Sequence, residues 1–398
     1  MTAGPVRILA LTLSHFRSYA RGEVMADGAS VALYGPNGAG KTNILEALSM
    51  LTPGRGLRRA ATDEMIRAPE QVGWKITAEV ETAEGEVEIA TSAEGAGQTR
   101  RTVAVDGKPA AQTVLGGLVR MVWLTPAMDR LWTDTAGERR RFLDRITMGF
   151  FPGHAEVSVT YEKAMRSRNR LLKDQTFDDA WLGGLEAQMA RSGAQIARAR
   201  AETLVHLVAA QSTGAPDLAA LFPRADLAID GDLERRFAQI LADGATEDDL
   251  AAAEIEEAAD LSARLAEGRG RDAAAGRTLD GPHRSDLDAI YAEKAMPARA
   301  CSTGEQKALL ISLCLANARA LTTETGAAPV LLLDEVAAHL DAHRRRALYG
   351  EIMRLGCQAW MTGTGPELFD GLDHAHRLAV TERDGRSHIA LEISGPPS

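Results

Sequence analysis

The octapeptide at residues 35–42, Gly35, Pro36, Asn37, Gly38, Ala39, Gly40, Lys41 and Thr42, narrows this chain more than any other segment. Two glycines separated by four residues precede a lysine and a hydroxyl residue. The loop follows a short apolar run at 31–34 and leads into an apolar-periodic stretch at 44–51. Strand, glycine loop and helix in that order are the context that separates a phosphate-binding loop from a chance glycine turn. Backbone N–H groups freed by the glycines wrap phosphate oxygens, and the helix start adds its positive dipole end. Lys41 is expected to neutralise β- and γ-phosphate charge, Thr42 to hold Mg²⁺, and Asn43 to extend the contact run. The expected fold class is therefore α/β, with ATP and Mg²⁺ as cofactors.

Far along the chain a continuous apolar run, Val330, Leu331, Leu332 and Leu333, ends in Asp334 and Glu335. Such a run suits a strand buried on both faces of a parallel sheet. Its terminal carboxylates supply what triphosphate hydrolysis needs, a metal ligand in Asp334 and a water-activating base in Glu335. With Lys41, these are the expected catalytic residues.

A chain of 398 residues exceeds the roughly 250 to 300 that one core supports, so two units are expected. The first 13 residues lack the apolar core and cleavage site of a signal peptide, and no apolar run reaches about 18 residues. Nothing is expected to span a membrane, and a cytoplasmic location follows. Cys301, Cys314 and Cys357 are too few and scattered for a disulfide framework or zinc cluster, and read as small buried residues. The net charge of −10 argues against indiscriminate nucleic-acid binding, although the arginines fall in clusters that can form local basic faces.

Alternation at 8–13 predicts a half-buried strand, and β-rich pieces at 74–80, 86–90 and 102–105 predict an antiparallel meander with breaks at Glu84-Gly85 and Asp106-Gly107. From Gly137 to about Gly268 the spacing turns helical. Leu185, Met189, Ile196, Leu204, Leu207 and Val208 fall near one helical face, and Leu250, Ile255, Ala258, Leu261 and Leu265 near another. The expectation is an antiparallel pair of helices about 20 to 25 residues long, roughly 30 to 38 Å each, a short arm rather than a long coiled coil. Gly214, Pro216, Pro223 and Gly231 interrupt the stretch between them.

Ser302, Thr303, Gly304, Glu305, Gln306 and Lys307 precede an apolar helix at 309–320, placing Ser302 and the N–H groups after it at a helix start. Alone this is an N-cap. Followed by Asp334, Glu335 and then Leu340-Asp341, it resembles the signature and D-loop of ABC ATPases, and in particular the RecF recombination-mediator family. The resemblance extends to Phe16-Arg17-Ser18-Tyr19, to Pro126 and Asp129-Arg-Leu131 with Arg139-Arg-Arg-Phe-Leu-Asp144, to Tyr161 with Arg168-Asn169 and Leu172-Lys173, and to Gly281-Pro-His-Arg284-Ser-Asp286.

The resemblance implies an ABC-type ATPase head, a mixed sheet with an antiparallel β subdomain, split by a helical arm. Expected boundaries are 1–136 and 276–398 for the head halves and 137–275 for the arm. It implies that Ser302, Gly304, Gln306 and Asp341 meet ATP held by the Lys41 of a second copy in a head-to-tail dimer. It further implies a weak, DNA-stimulated ATPase that binds duplex, junction or gapped DNA and assists RecA loading with RecR and RecO. Arg58, Arg168, Arg191 and Arg198 are the DNA-contact candidates. The chain departs from the family pattern at Glu305, where Gln is commoner. It offers no clear glutamine after Trp123, leaving Asp129 as a substitute, and it has Thr362 and Thr364 where many ABC ATPases carry a phosphate-sensing histidine. His283 and Arg284 read equally as a structured turn into a strand at 287–290. The rival reading is the nucleotide-binding subunit of an ABC transporter, against which stands the long insert between Lys41 and Ser302. A non-hydrolysing scaffold is a third, against which stands Glu335.

Overall fold

The computed structural model of the protein describes residues 6–95, 97, 100–175, 178–214 and 221–391. Backbone contacts group it into two compact units. Met1–Asp129, Thr213–Phe222 and Leu310–Ser398 form the first, and Arg130–Ser212 and Pro223–Leu309 the second. No helix among the described residues is long and apolar enough to cross a membrane.

In the first unit, β1 (Arg7–Phe16), β2 (Tyr19–Met25), β4 (Trp74–Thr82), β5 (Gly85–Ala93), β6 (Thr102–Val105) and β7 (Lys108–Ala110) pair antiparallel in the order β2-β1-β4-β5-β6-β7. This is the expected meander, extended at both edges. Asp106 and Gly107, at φ 48° and 73°, make the left-handed two-residue turn that joins β6 to β7.

A second sheet contains β3 (Val31–Tyr34), β8 (Met121–Leu124), which follows the single turn α2 (Leu115–Leu118), and β12 (Val330–Leu333), β13 (Ala359–Gly363), β14 (His376–Arg383) and β15 (Arg386–Leu391). Its order is β15-β14-β3-β13-β12-β8, parallel throughout except for β15. Strands covered on both faces favour apolar side chains, and every residue of β12 and β13 is buried, the hydroxyl of Thr362 included. Leu333 lies opposite both Met361 and Leu124, and Gly363 opposite Tyr34. The carboxyl ends of β3, β13, β12 and β8 therefore share one edge, where open α/β sheets bind ligands.

Helix α1 (Lys41–Ser49) packs between the sheets. Its Ile44, Leu45 and Leu48 join a core with Leu11, Leu13 and Ile76 of the meander and Leu33, Leu332 and Trp360 of the parallel sheet. Each such side chain contributes about 1.5–3 kcal/mol when fully buried, so the helix that ends the phosphate loop is seated by apolar packing. Gln358 links the sheets with a polar clasp: its amide accepts from Ile8 N–H and donates to Ile8 C=O and Ala29 C=O, each at 2.8 Å.

The second unit holds α3 (Ala136–Phe150), α4 (His154–Lys173), α5 (Asp179–Gln211), α6 (Asp232–Ala242), α7 (Glu247–Glu267) and α8 (Arg269–Ala275). Helices α5 and α7 are the expected antiparallel pair. Gly193 lies against Leu261 while Arg198 pairs with Glu254 and Glu247, so positions rise along one helix as they fall along the other. Their lengths correct the expectation in part: α5 has 33 residues, about 50 Å, whereas α7 has 21. Glycines did not stop α5. A Cβ at Gly193 would meet Leu261 at 2.9 Å, so the missing side chain lets the helices approach.

Val208 and Ile255, expected on the buried faces, are instead 46% and 74% exposed. Between the helices the interruption contains a strand that the turn residues concealed, β9 (Ala225–Asp230), which pairs antiparallel with β10 (Asp286–Tyr291); β11 (Met296–Pro297) completes this sheet. Ala225 and Ile229 are its buried positions. Pro216 lies outside the described residues.

Two of the expected DNA contacts are corrected here. Arg168 is fully buried, and its guanidinium donates to Glu186 at 3.0 Å, Asp272 at 2.6 Å, Thr278 Oγ1 at 2.9 Å and Leu265 C=O at 2.6 Å. Arg198 is committed to Glu202, Glu247 and Glu254. Arg200 has a similar hub, donating to both carboxylate oxygens of Asp144, to Glu234, to Pro282 C=O and to Ser285 Oγ. That ion pairing, set against its burial, holds the Asp144 carboxyl well below its usual range. The segment from Gly281 to Asp286 is the structured turn: His283 Nδ1 lies 2.7 Å from the Tyr161 hydroxyl, and Arg139 grips Asp286 with two hydrogen bonds. Cys301, Cys314 and Cys357 are buried thiols that form no disulfide, and burial pushes the Cys357 thiol up to about 12.

Removing Arg168 leaves the buried Asp272 carboxylate without its cation and the buried Glu186 carboxylate with Arg269 alone. Arg168→Met is expected to cost about 3–5 kcal/mol of stability by urea unfolding. Arg166→Met, which deletes an exposed pair with Glu162, is expected to cost less than about 1 kcal/mol in the same measurement.

Candidate active site

Lys41 opens α1, and the loop before it is shaped by two glycines that no other residue replaces. Gly35 has φ 147°, and a Cβ there would sit 2.1 Å from Val380 C=O on β14. Gly40, the helix N-cap, has φ 107°, and a Cβ there would meet Ser387 Oγ at 2.3 Å. The β14–β15 hairpin is thus the floor of the loop. Ser387 Oγ donates to Ala39 C=O at 2.6 Å and contacts Ser18 Oγ at 2.6 Å, Asn43 Nδ2 donates to Ser18 Oγ at 2.8 Å, and the Tyr19 hydroxyl donates to Gly40 C=O at 3.2 Å. Burial raises the Tyr19 hydroxyl above its usual range, so it stays a donor. Ser387 carried no signal in the sequence; Ser18 stood in the Phe16-Arg17-Ser18-Tyr19 motif without an assigned role.

The Lys41 ammonium donates to Gly35 C=O at 2.7 Å and Pro36 C=O at 2.8 Å. Burial holds it below its usual range, against the pull of Glu335 and then Asp334. Thr42 Oγ1 donates to Asp334 Oδ1 at 2.9 Å, joining the two residues expected to hold Mg²⁺ although they come from opposite ends of the chain. Asp334 is buried, its N–H continuing the sheet to Leu124 C=O at 2.9 Å. Glu335 then turns out of the sheet with φ 54°, a left-handed conformation that costs of order 1 kcal/mol for a side-chain-bearing residue. Asp129 lies in the turn Pro126–Arg130 after β8, on the same sheet edge.

Arg58 is the DNA-contact candidate attached to this site. Its guanidinium donates to Asn43 Oδ1 at 2.7 Å and pairs with Glu46 at 3.0 Å, while Arg17 holds Glu46 with two more bonds. Arg191 is exposed on α5.

In the second unit, Ser302, Gly304 and Glu305 lie at the start of α9 (Thr303–Thr325). Ser302 N–H and Oγ donate to Glu305 Oε2 at 2.7 and 2.8 Å, and Glu305 N–H returns to Ser302 Oγ at 3.4 Å, a capping box. Lys294 pairs with the other Glu305 oxygen and, with Ser302, holds that carboxyl down to about 2. Gln306 is buried with its amide on Cys301 C=O. Asp341 caps α10 (Ala342–Leu355) in the first unit, accepting from His343 and Arg344 N–H at 2.9 Å each.

Most of the chain matches proteins already known. The family profile described as RecF/RecN/SMC N terminal domain covers residues 7–386. A protein of Mesorhizobium japonicum named DNA replication and repair protein RecF is 49% identical over 91% of this chain and 92% of its own. One of the same name from Rhizobium rhizogenes is 48% identical over 96% and 98%. The chain belongs to the RecF family. Among solved structures, the recombination mediator protein RecF-ATPrS in the RecFOR pathway superposes with a TM-score of 0.80 at 22% identity, covering 98% of this chain and 99% of that one. An Smc head domain from Pyrococcus furiosus superposes at 0.55 with 17% identity, covering 97% and 96%. The fold is that of an ABC-type ATPase head. These RecF relatives carry repair names, not transporter names.

Gly40→Ala is expected to lower nucleotide affinity at least about ten-fold, because a Cβ at 2.3 Å from Ser387 and a left-handed φ must both be relieved by moving the loop. Fluorescent-nucleotide titration checks it, and Gly38→Ala, which meets nothing within 4 Å, is expected to lose less despite its own φ of 81°.

Proposed function

We propose that this protein is an ATP-dependent DNA-binding protein of replication and recombinational repair, a weak ATPase whose ATP-bound form is a head-to-tail dimer. The observation that carries the reading is the Thr42–Asp334 contact at 2.9 Å, set beside Lys41 on the carboxyl edge of a parallel sheet in a RecF-family chain. The residues fit ATP and Mg²⁺: Gly35 and Gly40 seat the loop so closely on the β14–β15 hairpin that no Cβ fits between, and a hydroxyl and a carboxylate form the oxygen pair such a cation prefers. Mg²⁺, when bound, neutralises charge on the phosphates.

In this reading the N–H groups of residues 35–43 bind the phosphates and Lys41 exchanges its loop carbonyls for phosphate oxygens. Thr42 and Asp334 hold the cation. The Glu335 carboxylate orients water and takes its proton. Ser302, Gly304 and Gln306, with Asp341, close over the triphosphate of a second copy, so nucleotide state sets the balance between open and closed pairs. The accompanying boundaries are head halves at 1–136 and 276–398 and an arm at 137–275. Duplex, junction or gapped DNA is the bound partner, with RecR and RecO assisting RecA loading, in the cytoplasm. Arg58 and Arg191 are the arginines left to meet DNA phosphate.

Two measurements test this. Gapped-duplex anisotropy at one fixed salt concentration is expected to show binding with ATP that weakens at least about ten-fold with ADP or in Lys41→Arg, since nucleotide state and not salt is then the variable. Binding that ignores nucleotide would overturn the gating. Mixing inactive Lys41→Ala and Ser302→Arg chains is expected to restore part of the turnover through one intact composite site; no recovery at any ratio would overturn sharing between copies.

A further inference from the structure

The end of β13 holds a side chain that neither the phosphate loop nor the acidic strand accounts for. Thr362 is fully buried beside Asp334, as the register of β12 with β13 requires. Its Oγ1 donates to Asp334 Oδ1 at 2.7 Å and accepts the backbone N–H of Glu335 at 2.8 Å. A hydroxyl has one proton and two lone pairs, and here the proton goes to one carboxylate residue and a lone pair to the next residue's amide. The N–H of Asp334 stays in the sheet, whereas the N–H of Glu335 leaves it and finds Thr362. That bond fastens the left-handed turn that aims Glu335.

We infer that Thr362 is the positioning residue of the hydrolytic pair, fixing the Asp334 carboxylate and the Glu335 turn at once. The inference rests on the proposed roles of those two residues. Thr42 and Thr362 both donate to Oδ1 of Asp334, so neither occupies Oδ2. When Thr42 turns toward a cation, Thr362 is the hydroxyl that still holds Asp334. The Thr362 proton is committed to Asp334, so this side chain orients protein groups and does not itself reach for phosphate.

The test compares Thr362→Val, which keeps the shape and removes the hydroxyl, with Thr362→Ser, which keeps the hydroxyl. Thr362→Val is expected to lower kcat about ten- to hundred-fold, the loss of one hydrogen bond to a charged group, with equilibrium nucleotide affinity changed less than about two-fold. Thr362→Ser is expected to recover turnover to within about three-fold of the parent. If Thr362→Val fails to fold, Thr362→Ala removes the same hydroxyl and is read in its place. Wild-type turnover in a folded hydroxyl-free variant overturns the inference, as does a joint fall of kcat and affinity that serine does not rescue. Glu335→Gln measured alongside separates the two levels: full turnover in that variant sinks the role of Glu335 itself, whereas a dead Glu335→Gln with an active Thr362→Val sinks only the positioning role.

Discussion

Everything at the site depends on keeping one carboxylate buried at the end of a strand. Asp334 is 6% exposed, and an ionised group in that position is tolerated only when donors surround it. Two threonine hydroxyls do so, Thr42 from the phosphate-loop helix and Thr362 from the neighbouring strand, and the sheet's own ladder binds its backbone N–H. None of these donors is near it in sequence. They meet because β3, β13 and β12 run parallel and in register, and because α1 is pinned by apolar contacts to both sheets. The chemistry at the sheet edge is thus a consequence of packing well below it.

The second unit reverses the usual logic of arginine. A chain with a net charge of −10 still places Arg168 and Arg200 inside the helical unit, each ringed by carboxylates and carbonyls. Such hubs contribute little net stability over apolar packing, yet breaking one is costly, so they fix which helix faces which. Arg168 joins α4 to Glu186 on α5 and Asp272 on α8, and Arg200 joins α5 to α3 through Asp144 and to α6 through Glu234. Tyr161, Arg168, His283, Ser285 and Asp286 of the quoted motifs are parts of this framework, while Arg284 is exposed.

What was legible in the chain follows from this division. Phosphate loop, acidic strand and meander announce themselves through local pattern, because a glycine loop, an apolar run and an alternation each encode one backbone geometry. Strand β9 was hidden because its partner lies far along the chain and the flanking glycines and prolines dominated the local reading. Arg168 and Arg198 were misread because an arginine on a helix has the same sequence appearance whether its guanidinium meets water or a buried acid. Thr362 was noticed for what it replaced; its two hydrogen bonds depend on strand order, which no local pattern encodes.

The capping box at Ser302 shows why a structural and a functional reading of one residue need not compete. As an N-cap, Ser302 contributes about 1 kcal/mol to the start of α9, with its proton on Glu305. A charged phosphate oxygen is an acceptor at least as strong as that carboxylate, so a rotation of the hydroxyl loses little. The Glu305 carboxylate would meanwhile stand close to added negative charge, and Lys294 already offsets it. Ser302 and its N–H groups keep the helix start ordered while leaving the hydroxyl exposed. That combination of a fixed backbone with a cheaply redirected proton suits the proposed contact with a second copy's nucleotide.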